Sequence, residues 1–134
     1  MKLIVCIDDN GGVAFNHRRQ SRDRFLIDDI IEGLRGEKIF IEEYSLPLFE
    51  GKTELYSVVS FPPECTVGTF FVERRDPSQI FDESDISEIV LYKWGRVYPS
   101  DRYFGMKMKD FTLVEEKSFE GYSHENITRE VWKK

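Results

Sequence analysis

Cysteine and histidine are scarce in this chain of 134 residues, with two of each. Cys6 and Cys65 are too few for a disulfide framework and lack metal-ligand spacing, so both are expected to be reduced cytosolic thiols. His17 and His124 cannot supply the ligands of a metal-dependent nuclease, and no metal site is expected. Their separation in sequence, with no acidic partner at a recognisable spacing, predicts two exposed loop histidines. The chain also lacks a Gly-x-Ser-x-Gly elbow, a phosphate loop with Gly-Lys-Ser/Thr and a His-Glu-x-x-His helix, which leaves hydrolase and NTPase readings without a motif. No apolar run reaches the length of a signal core or a membrane span, and the expected location is the cytoplasm, with no membrane contact. Basic excess is missing too. A net charge of −6 and a pI near 5.0 exclude a general nucleic-acid binder, because that affinity comes from neutralising phosphates.

What is present suffices for a core: 40% of residues are hydrophobic and 14% aromatic, at a length that fits one domain spanning 1–134. No repeat or low-complexity tract interrupts it. Leu3 to Ile7 is a continuous apolar run too short for an ordinary helix, bounded by Asp8-Asp9-Asn10-Gly11-Gly12, and reads as a buried strand entering a turn. The two aspartates serve the turn better than a cation, since calcium's alternating oxygen ligands are missing. Phe25, Leu26, Ile27, Ile30, Ile31 and Leu34 follow at helical spacing, with Ser21 placed as the cap, Asp23 in the first turn, and Gly33 and Gly36 as stop signals.

Lys38 to Ile41 should form a second strand paired beside the first, completing a βαβ opening. Leu46 to Gly51 breaks regular structure, and Glu54 to Ser60 fits a short strand or a helix. Thr66 to Glu73 and Ile86 to Trp94 read as strands, separated by loop or short helix from Asp76 to Ser84. Phe111 to Glu116 and Ile127 to Trp132 are close enough in sequence to form an antiparallel pair. The expected fold is an α/β mixed sheet with the first strand central, a crossover helix from about Ser21 to Leu34, and the C-terminal pair at one edge. Trp94, Tyr98, Tyr103 and Phe104 are assigned to core or edge packing rather than to a stacking platform.

The most unusual local feature is the group Arg18, Arg19, Arg22 and Arg24 at the entry to the predicted helix. As a solvated surface it would be balanced by Asp23, Asp28, Asp29 and Glu32. As a site it would join guanidinium forks to a helix N-terminus, a combination suited to one phosphate or carboxylate.

Both ends of the chain resemble the dihydrofolate reductase-like family. Leu3 to Asn16, LIVCIDDNGGVAFN, is similar to the family's first strand and following loop, with Gly12, Val13 and Asn16 on matching positions. Ile89 to Tyr92, Asp101 to Phe104, Asp110 to Val114 and Ile127 to Trp132 resemble its closing strands in order and spacing. The resemblance implies a shortened, divergent member of that fold. It also implies that Gly12, Val13 and Ala14 face a ring, and that Asp23 is the carboxylate nearest the position of the family's proton-assisting acid.

Departures from the family pattern point away from its cofactor. His17 to Gln20 stand where a Leu-Pro-Trp stretch is usual, and Glu42-Glu43 replace a basic segment that meets the extra phosphate of NADPH. No Gly-Gly pair follows Gly11-Gly12. Gly95-Arg96-Val97-Tyr98 resembles the residues that follow the family's pair, but too little chain separates it from Asp101, so Glu88 to Trp94 is taken as the later strand and the Gly-Gly strand as deleted. No cofactor is expected. The preferred function is binding of a small anionic or nucleotide-like ligand by Gly12, Val13, Ala14, Arg18, Arg19, Ser21, Arg22 and Arg24. Two alternatives stay open: an NAD(P)H-dependent reductase of a pterin-like ring, with Asp23 catalytic, and a non-enzymatic module, such as a homodimer formed through an edge strand near Thr66 to Val72.

Overall fold

The computed structural model describes residues 1–134 and is built on a seven-stranded mixed sheet. In chain order the elements are β1 (Lys2–Ile7), β2 (Gly12–Phe15), β3 (Arg18–Arg19), α1 (Arg24–Leu34), β4 (Ile39–Ile41), β5 (Tyr56–Val58), β6 (Thr69–Val72), β7 (Glu88–Lys93), β8 (Arg102–Tyr103), β9 (Thr112–Phe119) and β10 (Ile127–Lys133). The large sheet has the order β5-β4-β6-β1-β7-β10-β9, and a small antiparallel sheet β3-β2-β8 stands beside it. β1 is fourth of seven and parallel to both neighbours, while β10 pairs antiparallel with β7 and with the edge strand β9. The central first strand, the crossover helix and the C-terminal edge pair are as the sequence predicts.

Alternation along β1 decides how the core divides. Leu3, Val5 and Ile7 face one side, with Phe70, Val72, Ile89 and Leu91 from the flanking strands, and close against Phe81, Ile86, Met106 and Phe111. Ile4 faces the other side with Phe71, Val90 and Tyr92, beneath Leu26, Ile27, Ile30 and Leu34 of α1. A strand buried on both faces has no polar alternation, which is why this segment reads as a continuous apolar run. Each fully buried Leu or Ile contributes about 1.5–3 kcal/mol relative to exposure.

Two sequence expectations are corrected. β4 does not pair with β1: β6 lies between them, parallel to both. The strand in the segment near Thr66 to Val72 is β6, which starts only at Thr69, lies inside the sheet and is buried along its length, so it offers no edge for a second copy; the edges are β5 and β9. Glu88 to Lys93 forms β7, the later strand, and lies parallel beside β1 opposite β6. The pairing rule that places sequential strands side by side fails here because the chain leaves β1, builds β4 and β5 outward, and returns through β6.

Local structure follows the breakers. α1 runs through Gly33 to Leu34 and stops at Arg35, whose φ of +51° is left-handed. Glu43–Phe49 and Thr53–Leu55 are 3-10 turns, so the segment whose periodicity fitted either strand or helix holds a turn followed by β5. Short 3-10 turns at Pro77–Gln79 and Glu83–Asp85 occupy the predicted loop before β7. No helix is long and apolar enough to cross a membrane.

Candidate functional site

The C-terminal end of β1 opens into a turn organised by Asp8. Its buried carboxylate accepts hydrogen bonds from the backbone N–H groups of Asn10, Gly12 and Tyr98 and from the Gln20 side chain. Burial alone would raise its pKa, but these donors outweigh that and lower it. Asp8 is a turn residue, as expected. The chain then doubles back through β2 and β3, joined by Asn16 and His17 at φ +53° and +61°, the left-handed pair that a two-residue hairpin turn requires.

This hairpin separates the arginines. Arg18 is exposed opposite Phe15. Arg19 turns inward and grips Glu73 through Nε and Nη2, at 2.8 and 2.9 Å, while Nη2 also donates to the Tyr44 carbonyl at 3.0 Å. The Ser45 hydroxyl donates to the same Glu73 carboxylate at 2.6 Å. Arg19 and Arg74 each stack on the Tyr44 ring, with the guanidinium carbon 4.4 Å from the centroid. Arg24 stacks on Tyr122 at the same distance. Only Arg22 and Arg24 stay together at the start of α1.

Asp23, not Ser21, caps α1. Its Oδ1 accepts from the N–H groups of Phe25 and Leu26, and from Tyr122 N–H at 2.9 Å. Its Oδ2 accepts from Ser123 N–H and from His124 Nδ1, each at 2.8 Å. Burial pushes the Asp23 pKa up, yet the hydrogen bonds from His124 and from the backbone of Ser123, Tyr122 and Phe25 hold it well below the usual carboxylate range. The helix N-terminus thus already holds an anion, the chain's own. Ser21 lies two residues before the cap, with its hydroxyl 3.0 Å from His124 Nε2.

His124 overturns the expectation of an exposed loop histidine: it is buried, and its ring stacks on Trp94 with centroids 4.7 Å apart. An ionised Asp23 accepts at Nδ1, so that nitrogen carries the proton. Nε2 faces the Ser21 and Tyr98 hydroxyls, at 3.0 and 2.9 Å. Trp94 is core, as predicted, and Tyr98 is half-buried through this bond, whereas Tyr103 is exposed. The sequence carries no signal for the His124 pairing, since Ser123-His124 sits in a turn remote from every partner except its neighbour.

Three spaces surround these groups. Between Val13 and Asp23, where the resemblance places a ring, the cavity is only about 20 Å³ and is lined by Cys6, Arg19, Gln20, Ser21, Phe71 and Trp94 among others. That volume holds about one water molecule, and one side-chain oxygen there, Gln20 Oε1, is buried without a hydrogen-bond partner. Gly12, Val13 and Ala14 are all buried, Gly12 against Ser100 and Gln20. A groove of about 660 Å³ adjoins the small cavity and shares Arg22, Asp23, Ile27 and Leu48 with it; Arg24, Lys52, Asp28, Glu50 and Tyr122 complete the rim. A third cleft, about 330 Å³, is bounded by His17, Arg74, Arg75, Asp76, Gln79 and Arg102.

β6 leaves the sheet as Glu73-Arg74-Arg75, with Arg74 at φ +54°, a backbone region natural to glycine. Glu42 does not present a free charge at this rim, because Arg74 and Arg75 both pair with it, at 3.3 and 2.6 Å. Gly95, in the rival Gly-Arg-Val-Tyr register, packs where a side chain would strike the Asn126 carbonyl oxygen. It accommodates the protein's own backbone.

Among solved structures, the chain superposes on a dihydrofolate reductase from Enterococcus faecalis, complexed with NADP(H) and RAB-propyl, with a TM-score of 0.66. The match covers 98% of this chain and 94% of that one at 9% sequence identity. The fold is dihydrofolate reductase-like. No family model and no curated protein matches the sequence. In this dihydrofolate reductase-like fold, the space between Val13 and Asp23 is filled by side chains, and the carboxylate facing it is bound to a histidine.

Proposed function

We propose that this chain is a dihydrofolate reductase-like domain that binds a small anionic or nucleotide-like ligand in the groove at the start of α1. The observation that carries this reading is the groove itself. About 660 Å³ in volume, it lies within the range of small-molecule sites, with apolar Ile27 and Leu48 and with Arg22, Arg24 and Lys52 beside the carboxylates of Asp23, Asp28 and Glu50, of which Asp23 is already hydrogen-bonded to His124 and to backbone donors. Attraction comes from side-chain cations rather than from the helix terminus, which Asp23 already satisfies. Phosphate or sulfate should raise the melting temperature saturably, since a ligand bound only by the folded state stabilises it by mass action. Chloride at matched ionic strength should not. Arg22→Ala with Lys52→Ala should remove the shift; a shift that persists in this variant, or that chloride reproduces, overturns the reading.

One observation favours the reductase alternative: Arg74, Arg75, Arg102 and His17 gather beyond the C-terminal end of β6, at the rim where open α/β sheets hold nucleotides. Against it, neither a nicotinamide nor a pterin ring fits the cavity of about 20 Å³ between Val13 and Asp23. Fluorescence titration separates the two readings. Saturable NADPH binding at low micromolar concentration, displaced by a folate analogue, favours the reductase; phosphate-dependent stabilisation without it favours the groove.

A further inference from the structure

Ser21, His124 and Asp23 form a hydrogen-bonded chain: Oγ to Nε2 at 3.0 Å, then Nδ1 to Oδ2 at 2.8 Å. From this geometry we infer that Ser21 is a nucleophile toward short-chain acyl esters, with His124 as its base and Asp23 as the group that orients the imidazole. The roles follow from position. Asp23 is fixed by backbone donors from Phe25, Tyr122 and Ser123, and His124 is clamped from one face by Trp94, so the imidazole cannot swing away from Ser21. Such an array is recognised by its geometry, not by chain order, and the missing Gly-x-Ser-x-Gly elbow excludes only one way of presenting the serine.

Placement defines the substrate class. Ser21 lines the cavity of about 20 Å³, room for about one water molecule and too small to enclose even an acetyl group, so a short acyl ester would enter from the adjoining groove proposed for anions and present only its carbonyl to Oγ. An ester whose alcohol carries an anionic group would keep that group in the groove, and this choice of substrate rests on the groove reading. Ser21 Oγ attacks the carbonyl carbon and passes its proton to His124 Nε2. The ester C–O bond breaks and the alcohol leaves with that proton. Water then attacks the acyl-serine, again giving a proton to His124, which returns it to Ser21 as the carboxylic acid departs. Arg22 lines both cavities and supplies positive charge near the tetrahedral oxyanion. Tyr98 competes, because its hydroxyl lies 2.9 Å from the same Nε2.

Methanesulfonyl fluoride, an uncharged serine reagent with a single methyl substituent, tests the nucleophile without using the anion groove. Intact-mass and peptide analysis of the full chain should find one adduct, on Ser21, absent from Ser21→Ala with an unchanged circular dichroism spectrum. Tyr98→Phe should speed labelling several-fold by freeing Nε2. No adduct on the folded protein, an adduct that survives Ser21→Ala, or a labelling rate unaltered by Tyr98→Phe overturns the inference. Phosphate stabilisation reads the groove independently, so failure of one leaves the other measurable.

Discussion

Asp23 and His124 stand 101 positions apart in sequence, and their carboxylate and imidazole meet at 2.8 Å with both side chains out of solvent. One aspartate thereby caps α1 and fastens the turn between β9 and β10 to it, through Tyr122, Ser123 and His124. Gly121 permits the approach, since a Cβ there would come within 2.7 Å of Asp23 Oδ2.

Replacing Asp23 by Asn keeps a good helix cap but removes the charge that His124 meets. Hydrogen bonds to a charged acceptor are worth about 1.5–3 kcal/mol, and a loss of that order is expected for Asp23→Asn at pH 7. The pKa of Asp23 is lower in the folded state than in the unfolded chain, where it lies near about 3.9. Its stabilisation is therefore complete above that value and is lost as pH falls through the folded-state pKa. The difference between wild type and Asp23→Asn in urea unfolding should shrink between pH 5 and pH 2 (roughly the window set by those values). A difference independent of pH would show that shape, not charge, is what Asn fails to supply.

Arg19 and Glu73 tie the β2–β3 hairpin to the end of β6, with Glu73 only 7% exposed at the side chain. Arg19→Met strands that carboxylate with Ser45 as its remaining side-chain donor and should destabilise the fold by about 3 kcal/mol. Met at both positions should restore most of this, because a well-packed apolar pair replaces an ion pair with little net loss. Denaturant unfolding of the two single variants and the double variant gives the coupling. Additive losses would mean that the two side chains stabilise separately.

Local signals in the sequence disclose much of this fold and little of its site. β1, α1 and the β9–β10 pair are recovered because their apolar spacing and connection lengths are decided within short windows. The insertion of β6 between β4 and β1 is not, since nothing in Lys38 to Ile41 tells which parallel neighbour it takes. The arginine group is visible as composition, but its division is not: Arg19 turns inward because Glu73 waits at the end of β6, 54 positions later. Ser21 and Asp23 both suit a helix cap by residue type, and what distinguishes Asp23, its bonds to Tyr122, Ser123 and His124, lies about 100 positions away.

Gly12 tests whether the first loop serves packing. A Cβ there would stand 2.7 Å from Ser100 Cβ and 2.8 Å from Gln20 Nε2. Both neighbours are committed to Asp8: Gln20 Nε2 lies 2.6 Å from Ser100 Oγ, and each reaches Asp8 Oδ2 within 3.3 Å. Gly12→Ala must push this cluster apart, and overpacking of this kind costs about 1–3 kcal/mol. Gly11→Ala is the control. Gly11 has φ +78° and no atom within 4 Å of the place a methyl group would take, so its cost comes from backbone strain alone. Combining each substitution with Ser100→Gly, which vacates the two nearest colliding atoms and lets Gln20 move into their place, should recover part of the stability for Gly12→Ala and none for Gly11→Ala. Thermal unfolding without added ligand reads both. Equal responses of the two glycines to Ser100→Gly would show that Gly12 is held by its backbone conformation and not by the Asp8 cluster.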